Sequence, residues 1–245
     1  MIYKAKRPVT FNDIDATGNI KLSSVLKYMA EASWENAENL GSGFDFVLKH
    51  GLTFIIQRIG IRIFKTPKLG DELTIRTWPA QMTRSAFKRN GDITDAGGNK
   101  LIEWESLWVL IDINERRIKR PSALPFEFPT YGQQGVEIEA NKIILPAKIT
   151  QIGEFSHTVK FSELDMNAHM NNTIYGDLIM NILSTYDAPP TSNWSEIQFS
   201  YTNEAKLADN LTLTYSKSDS KLYITGGKTG EKEIFTAEIT CKEAI

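Results

Sequence analysis

FNDIDATGNIKLSSVLKYMAE, Phe11 to Glu31, is answered later in the chain by FSELDMNAHMNNTIYGDLIMN, Phe161 to Asn181. Setting Phe11 on Phe161 also sets Asp13 on Glu163, Ile14 on Leu164 and Asp15 on Asp165, and in both places an apolar helical run follows. A second match keeps the same order. IGIRIFKTPKLGDELTI, Ile59 to Ile75, aligns without a gap on IQFSYTNEAKLADNLTL, Ile197 to Leu213, pairing Lys68, Leu69, Asp71, Leu73 and Thr74 with Lys206, Leu207, Asp209, Leu211 and Thr212. Two collinear matches make the chain a tandem duplication. The copies part where chemistry would sit: Asn167 faces Thr17, His169 faces Asn19, and Glu204 faces Thr66.

Each half reads as strand, loop, long helix and then several strands. Leu22 to Gly41 carries Val25, Leu26, Met29, Ala32 and Ala37 on one stripe, with Ser23 or Ser24 near its start and Gly41 past its end. Asn172 to Tyr186 repeats the pattern with Tyr175, Leu178, Ile179, Ile182 and Leu183, stopping before Pro189-Pro190. β-Branched and aromatic runs predict strands over 53–64, 71–78, 86–94 and 101–113, then 196–201, 210–216, 221–225 and 233–241. Asp95 to Asn99 and Gly226 to Gly230 supply hairpin turns. Asn114 to about Gln151 holds Pro121, Pro125, Pro129 and Pro146 and predicts the connection between copies. The expected division is an N-terminal repeat over 1–130, a linker over 131–151 and a C-terminal repeat over 152–245. The class is α+β: twice over, one long helix covered by an antiparallel sheet.

Composition narrows the function. With 41% hydrophobic and 24% charged residues, the 245-residue chain has ordinary globular proportions, and a formal charge of −2 gives no global sign of nucleic-acid binding. No apolar run approaches the roughly 20 residues of a membrane span, and MIYKAKRPVTF lacks the apolar core of a signal peptide, so the expectation is cytoplasmic. The single Cys241 excludes an intrachain disulfide, and with three histidines no conventional metal site is expected. No phosphate-loop glycine pattern occurs, so no cofactor is implied.

Asp165, Asn167 and His169 stand at alternate positions before the second helix. A carboxylate can orient an imidazole, an imidazole exchanges protons near neutral pH, and free N–H groups at a helix start can receive an oxyanion. The competing view makes Asp165 and Asn167 turn and cap residues and His169 a surface side chain. His50 reads as a helix-end residue, His157 as part of a strand and Cys241 as core; Asp13 and Asp15 are loop residues.

Together with the first-half runs LKYMAEASWENAENLGSGFDF, TFIIQRIGIRIFKTPKLGDELTIRTWP and ESLWVLIDINERRIKRPSALPFE, the strings LDMNAHMNNTIYGDLIMN and FSYTNEAKLADNLTL give the whole chain a family resemblance. It resembles the acyl-[acyl-carrier-protein] thioesterases of bacteria and plant plastids. The resemblance implies a double hotdog fold and places Asp165, Asn167, His169 and Glu204 on the family's catalytic positions. Many plant members carry a cysteine after the glutamate; Ala205 stands here, so no cysteine nucleophile is available at that position. Glu204 is then expected to activate water, with His169 relaying the proton, Asn167 positioning water or carbonyl, and Asp165 holding the loop. Attack by Asp165 or Glu204 through an anhydride remains an alternative.

The same resemblance implies an acyl slot beside the first helix and sheet, with Met29, Trp34, Phe54 and Ile56 as lining or as plain core. It implies acyl carrier protein as partner. That partner is acidic, and Arg116, Arg117, Lys119 and Arg120 form the densest basic tract for docking it, with Arg84, Lys88 and Arg89 a second; the alternative is a solvated linker. Competing functions are an acyl-CoA thioesterase, a non-catalytic binder of acyl thioesters and a hotdog dehydratase. One chain supplies both repeats, so a monomer suffices, with room for a homodimer.

Overall fold

The computed structural model describes residues 2–131, 135–219, 221–229 and 233–242. The first copy contains β1 (Tyr3–Pro8), α1 (Leu22–Asn39), α2 (Phe44–His50), β2 (Leu52–Ile63), β3 (Glu72–Met82), β4 (Phe87–Thr94), β5 (Lys100–Asp112) and β6 (Arg117–Lys119). The second contains β7 (Thr150–Thr158), α3 (Ile174–Thr185), β8 (Trp194–Tyr201), β9 (Asn210–Ser218), β10 (Lys221–Lys228) and β11 (Glu233–Cys241). β7 opens at Thr150, so two residues of the expected linker belong to its strand.

The strands form one antiparallel sheet in the order β1-β3-β4-β5-β2-β8-β11-β10-β9-β7, with β6 paired to β5. Replacing each strand of the first copy by its counterpart reverses that order onto itself, as a duplicated hotdog requires. The seam is β2 against β8, from Arg58 opposite Ser200 to Arg62 opposite Glu196. Edge pairing across the seam removes two exposed sheet edges at once.

Apolar positions of α1 at i, i+3, i+4 and i+7, namely Leu22, Val25, Leu26 and Met29, are buried on the sheet. α1 ends where Gly41 takes φ +71° and its N–H reaches the Glu38 carbonyl at 3.0 Å. α3 lies against the start of α1. There Gly176 permits backbone contact, since a Cβ would come within 2.7 Å of the Ser23 nitrogen, and the Ser23 hydroxyl donates to Asp177. Ile61, Trp104, Ile179, Ile197, Phe199 and Tyr215 belong to one core that crosses the seam.

The linker straps the charged side of that seam. Arg62 lies within ion-pair distance of Glu103, Glu137 and Glu196. Linker N–H groups of Glu137 and Ala140 donate to Glu103 and Glu105, and Gln198 donates to the Glu139 carbonyl at 3.0 Å. Gly60 makes room for this strap, because a Cβ there would lie 2.4 Å from that carbonyl oxygen. Glu137 to Ala140 of the linker are therefore a structured strap.

Three further expectations change. The basic tract is a hairpin arm, β6, and not open linker. Gly226 and Gly227 lie inside β10 at a register shift, because a Cβ on Gly226 would meet the Phe235 ring at 2.1 Å; Gly230 is outside the described residues. α3 begins at Ile174 and not at Asn172, since the Asn171 side chain accepts the Thr173 N–H at 2.9 Å and shapes a turn first.

Candidate active site

Both copies build the same loop before their helix. Asp15 N–H donates to the Asn19 carbonyl at 2.8 Å, and Asp165 N–H to the His169 carbonyl at 2.8 Å. Asp15 Oδ1 accepts the N–H groups of Thr17 and Asn19 at 2.8 and 3.2 Å; Asp165 Oδ1 accepts those of Asn167 and His169 at 2.8 and 3.3 Å. This oxygen of Asp165 is occupied in shaping the loop, the same task Asp15 performs where no histidine follows.

A second duplicated bond brings in the acid. Ile20 N–H donates to the Pro67 carbonyl at 3.0 Å, and Met170 N–H to the Ala205 carbonyl at 2.8 Å. The backbone thus sets the residue before each donor beside the residue before each acceptor. In the first copy these are Asn19 and Thr66, both buried, and the nearby cavity is only about 20 Å³. In the second they are His169 and Glu204, with Nε2 2.9 Å from Oε2. The same Oε2 accepts a hydrogen bond from Arg116 Nη2 at 2.5 Å. Ala205 is buried behind them.

These groups open on a cavity of about 950 Å³ between the repeats, lined by Asp165, Asn167, His169, Asn172 and Glu204 together with Trp34, Phe54, Ile56, Trp108, Tyr175 and Tyr201. Adjoining spaces continue along the first copy. One of about 270 Å³ is walled by Trp34, Phe54, Phe87, Trp108 and Phe128, and one of about 180 Å³ by Met29, Ile56, Trp104 and Trp108 and by Asp165 and Asn172 of the second copy. Met29, Trp34, Phe54 and Ile56 therefore all border space continuous in its lining with the polar site. An apolar slot with a few convergent polar groups suits a long hydrophobic ligand with one reactive end.

The expected oxyanion donors at the helix start are mostly committed. His169, Met170 and Asn171 N–H groups are bonded to Asp165 Oδ1, the Ala205 carbonyl and the Glu163 carbonyl. Asn172 N–H has no partner among the described residues, and Asn172 borders two of the cavities.

The basic tracts divide. Arg116 faces Glu204, and Lys119 pairs with Glu115 at 2.8 Å and Asp112 at 3.5 Å. Arg117 and Arg120 are exposed and have no ion pair among the described residues. In the second tract only Arg84 is exposed and unpaired among the described residues. Lys88 pairs with Glu105, and Arg89 is 7% exposed, donating to Asn36 at 2.8 Å in the slot wall, where burial lowers its guanidinium to about 10. The alternation of β4 turns Arg89 inward, so it does not belong to a docking surface.

Other residues keep structural surroundings. His157 Nε2 is 2.8 Å from Glu163 Oε2, His50 packs its ring at a tilt against Phe46, and half-buried Cys241 has its thiol raised by burial. Among the described residues no cluster of three potential metal ligands occurs, and no helix is long and apolar enough to cross a membrane.

Tyr175, which the sequence places only on the apolar stripe of the second helix, and Tyr201, which it places only in a strand, both join the site. Their rings lie 5.5 Å apart, and burial raises both phenols, keeping them protonated. A signal was present: in the internal alignment Tyr175 faces Val25 and Tyr201 faces Ile63. Like His169, they mark polarity gained by one copy alone.

Comparison with known proteins was consistent along the chain. Residues 1–122 match the family described as acyl-ACP thioesterase N-terminal domain, and residues 147–242 match acyl-ACP thioesterase C-terminal domain. The chloroplastic palmitoyl-acyl carrier protein thioesterase of Arabidopsis thaliana is 23% identical over 71% of this chain and 45% of its own length. The chloroplastic oleoyl-acyl carrier protein thioesterase 2 of the same plant is 23% identical over 93% of this chain and 67% of its own. This chain thus spans about half to two thirds of these plant relatives. Among solved structures, an acyl-ACP thioesterase from Bacteroides thetaiotaomicron superposes with TM-score 0.77 at 18% identity, covering 98% of this chain and 97% of that one. A 12:0-ACP thioesterase from Umbellularia californica gives 0.79 at 18% identity, covering 98% and 96%. These likenesses establish the fold.

Proposed function

This chain belongs to the acyl-ACP thioesterase family, and from that premise we propose that it hydrolyses the thioester of fatty acyl-[acyl-carrier-protein], releasing free fatty acid and ending chain elongation in fatty acid biosynthesis. The observation that carries this reading is the pairing of His169 with Glu204 at 2.9 Å at the edge of a cavity that continues into an apolar slot.

The reaction asks for little. A thioester carbonyl is electrophilic and a thiolate leaves readily, so hydrolysis needs an oriented water, a proton acceptor and donors for the oxyanion. Glu204 takes the proton of the attacking water, and His169, at the same carboxylate, relays that proton to the departing thiolate of the substrate's thiol arm, which leaves Glu204 ionised again. Asn167 orients the water or carbonyl, Asp165 keeps Asn167 and His169 in register, and Asn172 N–H is the free backbone donor for the oxyanion. The acyl chain lies along Trp34, Phe54, Ile56 and Met29. Arg117 and Arg120, unpaired among the described residues, are the tract's cations for the acidic carrier protein, and the compartment is the cytoplasm.

The test is free-thiol and free-acid release from matched acyl-carrier-protein and acyl-CoA substrates of short, medium and long chain. Turnover confined to the carrier-protein set supports the proposal. Equal turnover of acyl-CoA would make the protein a general acyl thioesterase; binding without turnover would make it a binder.

A further inference from the structure

We infer that Arg116, carried by the first repeat, is a positioning residue for the carboxylate of the second: it selects which oxygen of Glu204 meets the water. This rests on the hydrolytic reading above. Arg116 Nη2 and His169 Nε2 both approach Oε2, at 2.5 and 2.9 Å. Oε1 has no partner among the described residues. With the Arg116 hydrogen bond and the His169 nitrogen both at one oxygen, rotation of the carboxylate is restricted, and Oε1 is left to accept the proton of a water in the cavity. Without Arg116 a half-exposed glutamate on a loop would sample other rotamers, and its contact with His169 would be intermittent.

Arg116 is delivered by a built turn. It sits at the tip of the β5–β6 hairpin with φ +52°, a left-handed conformation uncommon outside glycine and asparagine. Asp112 Oδ1 accepts the N–H groups of Asn114 and Glu115, each at 3.0 Å, and Lys119 braces Asp112 and Glu115 from the other arm. The bonds from Glu115 and Asn114 hold the Asp112 carboxyl below its ordinary value, with Lys119 adding to them. Strained backbone held by a rigid turn and aimed at a catalytic carboxylate is the pattern of a functional constraint. The hairpin also makes the site composite: the second repeat supplies the reacting groups, and the first supplies both the slot and the residue that aims the acid.

An exposed ion pair by itself adds little stability. Arg116→Ala should therefore fold with an unchanged melting temperature, so that kinetics report its role. We expect kcat to fall about tenfold or more on acyl-carrier protein and equally on a short acyl-pantetheine lacking the protein, with KM little changed. Arg116→Lys should recover part of the loss. In a Glu204→Gln background, Arg116→Ala should cost nothing further, because both substitutions act on one carboxylate. Asp112→Asn should reproduce a smaller version of the same kcat loss.

A rise in KM confined to acyl-carrier protein would make Arg116 a docking cation and overturn the inference, as would unchanged kinetics or full additivity with Glu204→Gln. Wild-type protein that releases no thiol from either substrate would overturn the hydrolytic reading and this inference together; an active wild type with an indifferent Arg116→Ala overturns this inference alone.

Discussion

His169 Nε2 lies 2.9 Å from Glu204 Oε2, although one residue belongs to the loop before α3 and the other to the loop after β8. The backbone bond from Met170 to the Ala205 carbonyl fixes that approach, and the first copy repeats the bond around Asn19 and Thr66. The duplication therefore separates scaffold from chemistry. Glu204→Gln keeps the shape and removes the proposed base, so kcat on acyl-carrier protein should fall by about a hundredfold or more with an unchanged melting curve. Stopped-flow thiol detection with thermal denaturation checks both halves of this expectation.

Ala168 occupies the position of Gly18, and both take left-handed φ, +60° and +79°. A Cβ costs about 1 kcal/mol there. Ala168→Gly should raise stability or leave it unchanged, whereas Gly18→Ala should lower it by about that amount; paired urea titrations give the comparison.

Gly176 sits where α3 touches the backbone of α1, 2.7 Å from a Cβ to the Ser23 nitrogen. Alanine would gain about 1 kcal/mol of helix propensity, yet the clash is with backbone that cannot rotate aside. Gly176→Ala should therefore destabilise by about 1–3 kcal/mol net, measured by chemical denaturation, and should loosen the contact between repeats.

Asp13 is buried, which raises its carboxyl pKa, but the Thr10 hydroxyl and N–H, with the Tyr28 hydroxyl and the Lys27 charge, together more than offset this and the result is a lowered value. A carboxylate whose folded pKa lies below its unfolded value of about 3.9 stabilises above that value and loses the contribution as pH falls through the lowered one. Asp13→Asn should thus cost about 1 kcal/mol at pH 7 and progressively less in acid, a convergence visible in melting temperatures taken from pH 7 to about pH 3.

Much of this was legible because the chain says it twice. Helices, strands and their order follow from periodicity, and the strongest pointer to the site was the contrast between copies at Asn19 and His169. Arg116 was not legible in its present role. A string of basic residues in a proline-rich stretch carries no sign of a three-residue strand, and only pairing of β6 on β5 aims its tip at the other repeat. Arg89 looked like surface charge for a similar reason: its inward direction is set by the register of β4 on β3 and β5, which local composition does not report. Gly226 and Gly227 resembled a turn because the ring of Phe235 that requires Gly226 comes from the neighbouring strand.

The most direct test sets wild-type protein beside His169→Ala in one assay of free-thiol release from acyl-carrier protein. Rapid release by the wild type, with at least about a hundredfold less from a folded His169→Ala, is the predicted result. Silence from the wild type, or equal rates from the two proteins, would contradict the assignment of hydrolysis to the His169 and Glu204 site.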